Sequence, residues 1–336
     1  MNNIGIIATG HYVPEAKLTN KALEGIVKNF DPKVANKTLD EWIFNRYGIK
    51  SRSFSDELPS DQATAAAKKA IEKSNIAKED IDFVILNTAF GDYIQPTTAT
   101  EVQKKLGLRK DSFALEINMP CGGPTYGISM AHAFINSGKY KYGLVLGVDK
   151  MSKLVDLKDF RMAGLFGEGA GAAIVGPTTS NTIVDYVLRS KGEEGNEEDY
   201  ALCIPAGYAK EVASIESVQK ERHYLYMKGR LVEQFVESAV KEVVNYFDDG
   251  FGVGPEAITY VVPHQASKKM IIDKLGLAGI EAHKICFTLE EYGNTSAASV
   301  LITLDKFIDR FSKNDKVLLV AMGGGLNWGG VLLNFN

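Results

Sequence analysis

The chain has 336 residues, 45% of them hydrophobic and 24% charged, an ordinary globular composition with material for two domains or one large α/β unit. A formal net charge of −4, with both signs mixed along the chain, gives no electrostatic case for nucleic-acid binding. No apolar run approaches the ~20 residues of a membrane span, and Met1 to Ile7 lacks the basic region and apolar length of a signal peptide. Cys121, Cys203 and Cys286 are odd in number, with no C-x-x-C pair, and read as free thiols in a reducing compartment. His11, His132, His223, His264 and His283 never fall at ligand spacing with those cysteines, so no metal is expected. The expectation is a cytoplasmic protein with no membrane and no nucleic-acid partner.

In chain order, the first strong signal is a helix over 60–74, with Ser60-Asp61 as its cap and an alanine-rich middle. A fully apolar strand follows at 82–87, then a helix over 97–106, a strand at 113–118 and a helix over 126–136. Strands at 143–148 and 169–176 close this half, the second rich in glycine. The segment 191–199 is charged and turn-rich and reads as a surface excursion. Beyond it come a helix over 230–247, a strand at 260–263, a helix beginning near Ser267 and a helix over 296–311. Strands at 317–321 and 331–335 complete the chain. Buried strands alternating with amphipathic stretches give α/β layers, and the order of elements repeats loosely. An internal duplication is expected, with halves 1–176 and 177–336.

Cys121 follows a strand and precedes a helix, in Met119-Pro120-Cys121-Gly122-Gly123-Pro124. The positive end of that helix favours a thiolate and lowers the expected thiol pKa. Free N–H groups at the helix start and close backbone approach at Gly122 and Gly123 suit an oxyanion. A small apolar residue packed under a sheet is the competing reading, and Cys203 and Cys286 are assigned to that structural class. His264 lies where the strand at 260–263 ends, a position at which α/β proteins gather their sites. Asn294 sits in a glycine turn before a helix crowded with small residues, and Gly323-Gly324-Gly325 forms a loop between two strands. Each has a bland alternative, as a core histidine, a cap and a hairpin. The other histidines stay unassigned.

These motifs resemble the thiolase superfamily, and most closely the β-ketoacyl-ACP synthase III family. The resemblance rests on residues 41–50 (EWIFNRYGIK), 166–173 (FGEGAGAA), Pro263-His264-Gln265-Ala266 and Gly293-Asn294-Thr295-Ser296-Ala297-Ala298-Ser299, and spans nearly the whole chain. It implies a thiolase-like five-layered αβαβα fold made of two duplicated halves, assembled as a homodimer. The implied chemistry is acyl transfer from acyl-CoA to Cys121, then decarboxylative condensation with a malonyl thioester carried by acyl carrier protein or CoA. No metal or organic cofactor is implied. Cys121, His264 and Asn294 match the catalytic set, with the N–H groups of Cys121 and Gly324 as oxyanion hole. Trp42 matches the aromatic residue that stacks on CoA, Arg46 lies near for the phosphates, and Arg161 matches a CoA-contacting arginine with an offset of one. Lys268 and Lys269 stand where an acidic carrier protein would be met.

Departures from the family bear on substrate. The usual Ala-Ala-Cys-Ala-Gly-Phe around the nucleophile is replaced by Met119 to Pro124. A residue that floors the partner subunit's acyl pocket is often aromatic, and the nearest match is Gln95. Met322 replaces an aromatic beside the glycine loop. An acyl group other than acetyl, longer or polar, is expected. Transfer to an oxygen, nitrogen or β-keto acceptor without decarboxylation is the alternative chemistry. A cysteine hydrolase and a non-catalytic partner subunit also stay open.

Overall fold

A computed structural model describes residues 3–336. Two sheets lie at its centre. The first has the strand order Ile4–Tyr12, Ala170–Pro177, Gly143–Val148, Phe83–Asn87, Phe113–Ile117. The second has the order Asn181–Ser190, Asn327–Phe335, Lys316–Gly323, Tyr260–Pro263. Read from the first strand of each, both sheets run antiparallel, antiparallel, parallel. The first adds a further parallel strand at Phe113–Ile117, and in the second a single parallel bridge between Val261 and Ile285 occupies the matching edge.

Helices Gly123–Asn136 and Ser299–Phe307 lie between the sheets and touch both. Pro59–Ser74 and Thr98–Leu106 cover the outer face of the first sheet, and Gly229–Phe251 and Lys268–Leu277 that of the second. The result is five layers, α, β, α, β, α. Alternation along Lys316–Gly323 shows how the sequence builds them: Val317, Leu319 and Ala321 face the central helices, while Leu318, Val320 and Met322 face the outer ones. Both faces are buried, so the strand reads as one continuous apolar run. Close approach is needed where Gly147 faces the carbonyl of Ala297, since any Cβ there would collide with that backbone. That contact presses the turn Ser296–Ala298 onto the end of Gly143–Val148.

Element boundaries differ from the sequence expectation for local reasons. The helix over 60–74 starts at Pro59 with Leu58 as N-cap and no side-chain cap of its own. Asp92 accepts the Ser60 N–H at 2.9 Å instead, so a distant carboxylate does the work expected of Ser60-Asp61. The helix expected from 126 begins at Gly123, with Pro124 in its first turn, where a missing N–H costs nothing. The stretch expected as one helix over 296–311 divides into a 3₁₀ turn Ser296–Ala298, the α-helix Ser299–Phe307 and a second 3₁₀ turn Ile308–Arg310. The strands Ile4–Tyr12 and Asn181–Ser190 were not expected; both are long and antiparallel, and the second mixes buried and exposed positions irregularly. The charged excursion is mostly exposed, yet Lys191 and Leu326 exchange two backbone hydrogen bonds, which fasten its start to the end of the glycine loop.

Candidate active site

Cys121 lies between Phe113–Ile117 and the helix Gly123–Asn136, one residue before the N-cap Gly122. The Gly123 N–H donates to Pro120 O at 3.1 Å, which closes the turn. Among the described residues no side chain caps this helix start. The glycine loop lies directly against it: a Cβ on Gly323 would fall 2.8 Å from Cys121 Cβ and 3.0 Å from Gly122 N. Asn327 braces the two together, donating from Nδ2 to Gly324 O while its Oδ1 faces Gly122. Gly323 is thus required by the nucleophile turn, since any side chain would displace the thiol.

The sequence expectation of a lowered thiol pKa is overturned. Burial pushes the Cys121 thiol up to about 12, against the opposing pull of a hydrogen bond from Ser296. Sγ lies 3.5 Å from Ser296 Oγ. A thiol in this setting is protonated at neutral pH and needs help to become a nucleophile.

His264 continues the ladder past Tyr260–Pro263, donating its N–H to Val320 O at 2.7 Å. Its ring is buried, with Nδ1 2.7 Å from Ser299 Oγ. Burial without a compensating charge pushes the imidazole pKa down to about 4, so the ring is neutral and carries a single N–H, on Nε2 when the Ser299 hydroxyl donates to Nδ1. Gln265 fixes the turn: Nε2 donates to Cys286 O and Thr303 Oγ1, and Oε1 accepts from the N–H groups of Thr288 and Leu289. Asn294 is bridged on both sides, its N–H to Leu165 O and its C=O to the Gly167 N–H. Its Oδ1 accepts the Ser296 N–H at 2.9 Å, and among the described residues the amide N–H₂ group has no protein partner. Ser296 and Ser299, two and five residues after Asn294, tie Cys121 and His264 to the same short stretch of chain.

Trp42, Arg46 and Arg161 line one cleft of about 720 Å³. Trp42 packs edge-on to Phe160 at 4.7 Å and to Tyr47 at 5.6 Å between ring centroids. Arg161 is held by Asp159 at 2.7 Å. The far wall is Lys220 to Met227, with Arg222 anchored to Glu211 at 2.7 Å. Sequence patterning gave no sign of that wall, because the segment has no sustained period. Tyr226 and Met227 pair with the ribbon strand Leu202–Cys203, and Leu202 reaches the glycine loop at Gly324. One ribbon therefore links the cleft wall to the nucleophile turn.

The other expected residues scatter. Gln95 is exposed on the loop before Thr98–Leu106, beside the exposed Tyr93 and Ile94. Met322 is buried in the apolar layer beneath Gly229–Phe251. Lys268 is ion-paired with Glu290 at 3.4 Å, whereas Lys269 is exposed. Asp149, Ser296 and Ser299 were not singled out as site residues, although the two serines lie within the Gly-Asn-Thr-Ser-Ala-Ala-Ser run.

Comparison with known proteins decides the family. Residues 115–192 match the model for 3-oxoacyl-[acyl-carrier-protein] synthase III, and residues 250–335 match the model for its C-terminal part. A β-ketoacyl-[acyl-carrier-protein] synthase III from Caldanaerobacter subterraneus is 38% identical, over 99% of this chain and 98% of its own. One from Fusobacterium nucleatum is 36% identical, over 100% of this chain and 99% of its own. The chain belongs to the β-ketoacyl-[acyl-carrier-protein] synthase III family. The crystal structure of the family member from Aquifex aeolicus superposes with a TM-score of 0.85 at 35% identity, covering 99% of this chain and 100% of that one. The fold is thus the thiolase-like one, and the chain is a condensing acyltransferase. No helix of the described residues is long and apolar enough to cross a membrane.

Proposed function

We propose that the enzyme transfers an acyl group from acyl-CoA to Cys121 and condenses it with a malonyl thioester, with loss of carbon dioxide. The observation that carries the reading is the pair of free donors on His264 and Asn294. Ser299 occupies Nδ1 of a neutral imidazole, and the Ser296 N–H occupies Oδ1 of Asn294. The second imidazole nitrogen and the Asn294 amide are left to donate to one thioester carbonyl. Such donors stabilise the enolate as carbon dioxide departs, with neither group having to change charge.

In the first half-reaction the Cys121 sulfur attacks the acyl carbonyl, the N–H groups of Cys121 and Gly324 hold the oxyanion, and CoA leaves as a thiolate. In the second, the carbon–carboxylate bond of the malonyl group breaks. Its electron pair becomes the enolate carbon that attacks acyl-Cys121, and the cysteine leaves. The thioester itself is the electron sink, so the reading needs no metal or organic cofactor. The cleft of Trp42, Arg46 and Arg161 suits a nucleotide with phosphates, by stacking and by guanidinium pairing.

The same reading has the enzyme as a cytoplasmic homodimer of two-part subunits, with halves 1–176 and 177–336. Gln95 contributes to the partner's acyl pocket, and Met322 shapes the pocket from behind the glycine loop. Lys269, and Lys268 when released from Glu290, meet an acidic carrier protein. The replacements at Gln95 and Met322, together with the Met119–Pro124 flanks of the nucleophile, favour an acyl group other than acetyl, longer or polar. Intact-mass screening against acyl-CoAs of graded length and polarity tests this reading. The expected result is one covalent adduct, absent in Cys121→Ala; an adduct that survives that substitution, or no adduct with any donor, contradicts it.

A further inference from the structure

We propose that Ser296 and Asp149 form the proton path of the nucleophile, the Cys121 thiol passing its proton to the Ser296 hydroxyl as that hydroxyl passes its own to the Asp149 carboxylate. This rests on the reading of Cys121 as the nucleophile.

The need comes from the site itself. The thiol is buried and protonated, and the neighbouring imidazole is engaged elsewhere: His264 Nδ1 pairs with Ser299, and among the described residues no hydrogen bond joins His264 to Cys121. The group that does touch the thiol is Ser296 Oγ, at 3.5 Å. The Asp149 carboxylate lies at the same turn: its Oδ2 accepts the next backbone N–H, from Ala297, at 3.2 Å, and the Ser296 hydroxyl favours its charged form. Oδ1 accepts the Thr88 hydroxyl at 3.0 Å and the N–H groups of Ala89 and Phe90 at 2.7 and 3.3 Å. Asp149 is only 1% exposed.

Among the described residues no cation pairs with this buried carboxylate. Lys150, its neighbour in sequence, turns away to Glu168 at 2.9 Å, and Glu168 is further taken up by the N–H groups of Ser55 and Ser152. The imidazole of His264 is neutral. Across these turns the charge of Asp149 acts on the Cys121 thiol and helps to hold it protonated. Burial therefore raises the carboxyl above its ordinary value despite its hydrogen bonds, which makes it a better proton acceptor. Ser296 has φ 50°, an unfavourable conformation for a residue with a side chain, and from this backbone its hydroxyl reaches the Cys121 thiol while the next N–H binds Asp149.

The protons balance over a cycle. The S–H bond breaks as an O–H bond forms on Ser296, and the former Ser296 proton moves to Asp149 Oδ2. The thiolate attacks, and CoA departs as a thiolate that solvent protonates. When Cys121 leaves the condensed product as a thiolate, the proton held on Asp149 returns through Ser296. Ser296 touches the reacting sulfur; Asp149 acts through it.

The test uses iodoacetamide, which alkylates the thiol without any acyl pocket, followed by intact mass from acid to alkaline pH. Ser296→Gly removes the hydroxyl and relieves the backbone, so it is expected to fold. Its alkylation of Cys121 should slow by about 100-fold at neutral pH, within the range of general acid–base groups, and the deficit should close as hydroxide replaces the path. Asp149→Asn should show the same profile, and the double variant should be no slower than either single. A native rate in Ser296→Gly, or an equal loss at every pH, overturns the proposal. Alkylation of Cys121→Ala at the native rate would instead locate the reactive thiol elsewhere and sink the reading of Cys121. A native enzyme that alkylates through the path but takes no acyl group from any acyl-CoA would sink the proposed function alone.

Discussion

Ser299 Oγ stands 2.7 Å from Nδ1 of His264, and both side chains are buried. A hydroxyl that donates to Nδ1 leaves the proton on the other ring nitrogen, the tautomer that can donate to a thioester carbonyl. Ser299→Ala removes the partner and leaves the imidazole to choose its own proton position. Decarboxylation of the malonyl thioester should fall by about 10-fold, the scale of one lost buried hydrogen bond, while acylation of Cys121 stays native. Separate assays of carbon dioxide release and acyl-adduct formation check this, and an equal loss in both would contradict the positioning role.

Burial of neutral His264 makes a prediction about acid stability. The folded pKa of about 4 lies below the ordinary value of 6.5, so between these two values the unfolded chain binds a proton that the folded chain does not. Stability contributed by this site is therefore full above the ordinary histidine range and declines as pH falls through 6.5 towards 4. His264→Asn, which cannot titrate there, should flatten that part of the profile in urea unfolding followed by circular dichroism. A wild-type profile in the variant would contradict it.

Trp42 presents an aromatic ring in the wall of the 720 Å³ cleft, propped by Phe160 and Tyr47. Trp42→Ala should raise KM for acyl-CoA by roughly 10-fold with kcat little changed, because the ring is proposed to hold the nucleotide equally in ground and transition states. A fall in kcat at unchanged KM would place its role elsewhere.

Gly147 admits the backbone of Ala297 with no room for a Cβ. Gly147→Val should destabilise the fold by about 1–3 kcal/mol, as overpacking does, and should displace the turn that carries Ser296. Urea unfolding measures the first effect and iodoacetamide reactivity of Cys121 the second. Loss of stability with native thiol reactivity would show that the turn does not depend on this contact.

Much of the fold was legible because its central strands are buried on both faces and read as short apolar runs. Tyr260–Pro263 and Gly143–Val148 match the sequence reading residue for residue. Ile4–Tyr12 and Asn181–Ser190 were missed, being strands whose partners lie far along the chain and whose own patterns do not announce a sheet. At the site, Cys121, His264 and Asn294 stood out because each follows a strand or a glycine turn. Asp149 and Ser296 also follow a strand and a glycine turn, but nothing local pairs them: Ser296 meets Cys121 across 175 positions of sequence, and only the packing of Gly143–Val148 against the 296–298 turn brings Asp149 to that turn. The effect of burial on the Cys121 thiol was equally invisible, since a helix N-terminus is local and desolvation is a property of the whole surrounding core.

The most direct measurement is a single turnover of enzyme already acylated on Cys121 and mixed with malonyl-ACP. The account predicts that the acyl adduct disappears with release of one carbon dioxide and formation of one β-ketoacyl product per acyl group, and that His264→Ala and Asn294→Ala retain the adduct. Discharge of the acyl group to water or to an oxygen or nitrogen acceptor, with the malonyl group left intact, would contradict it.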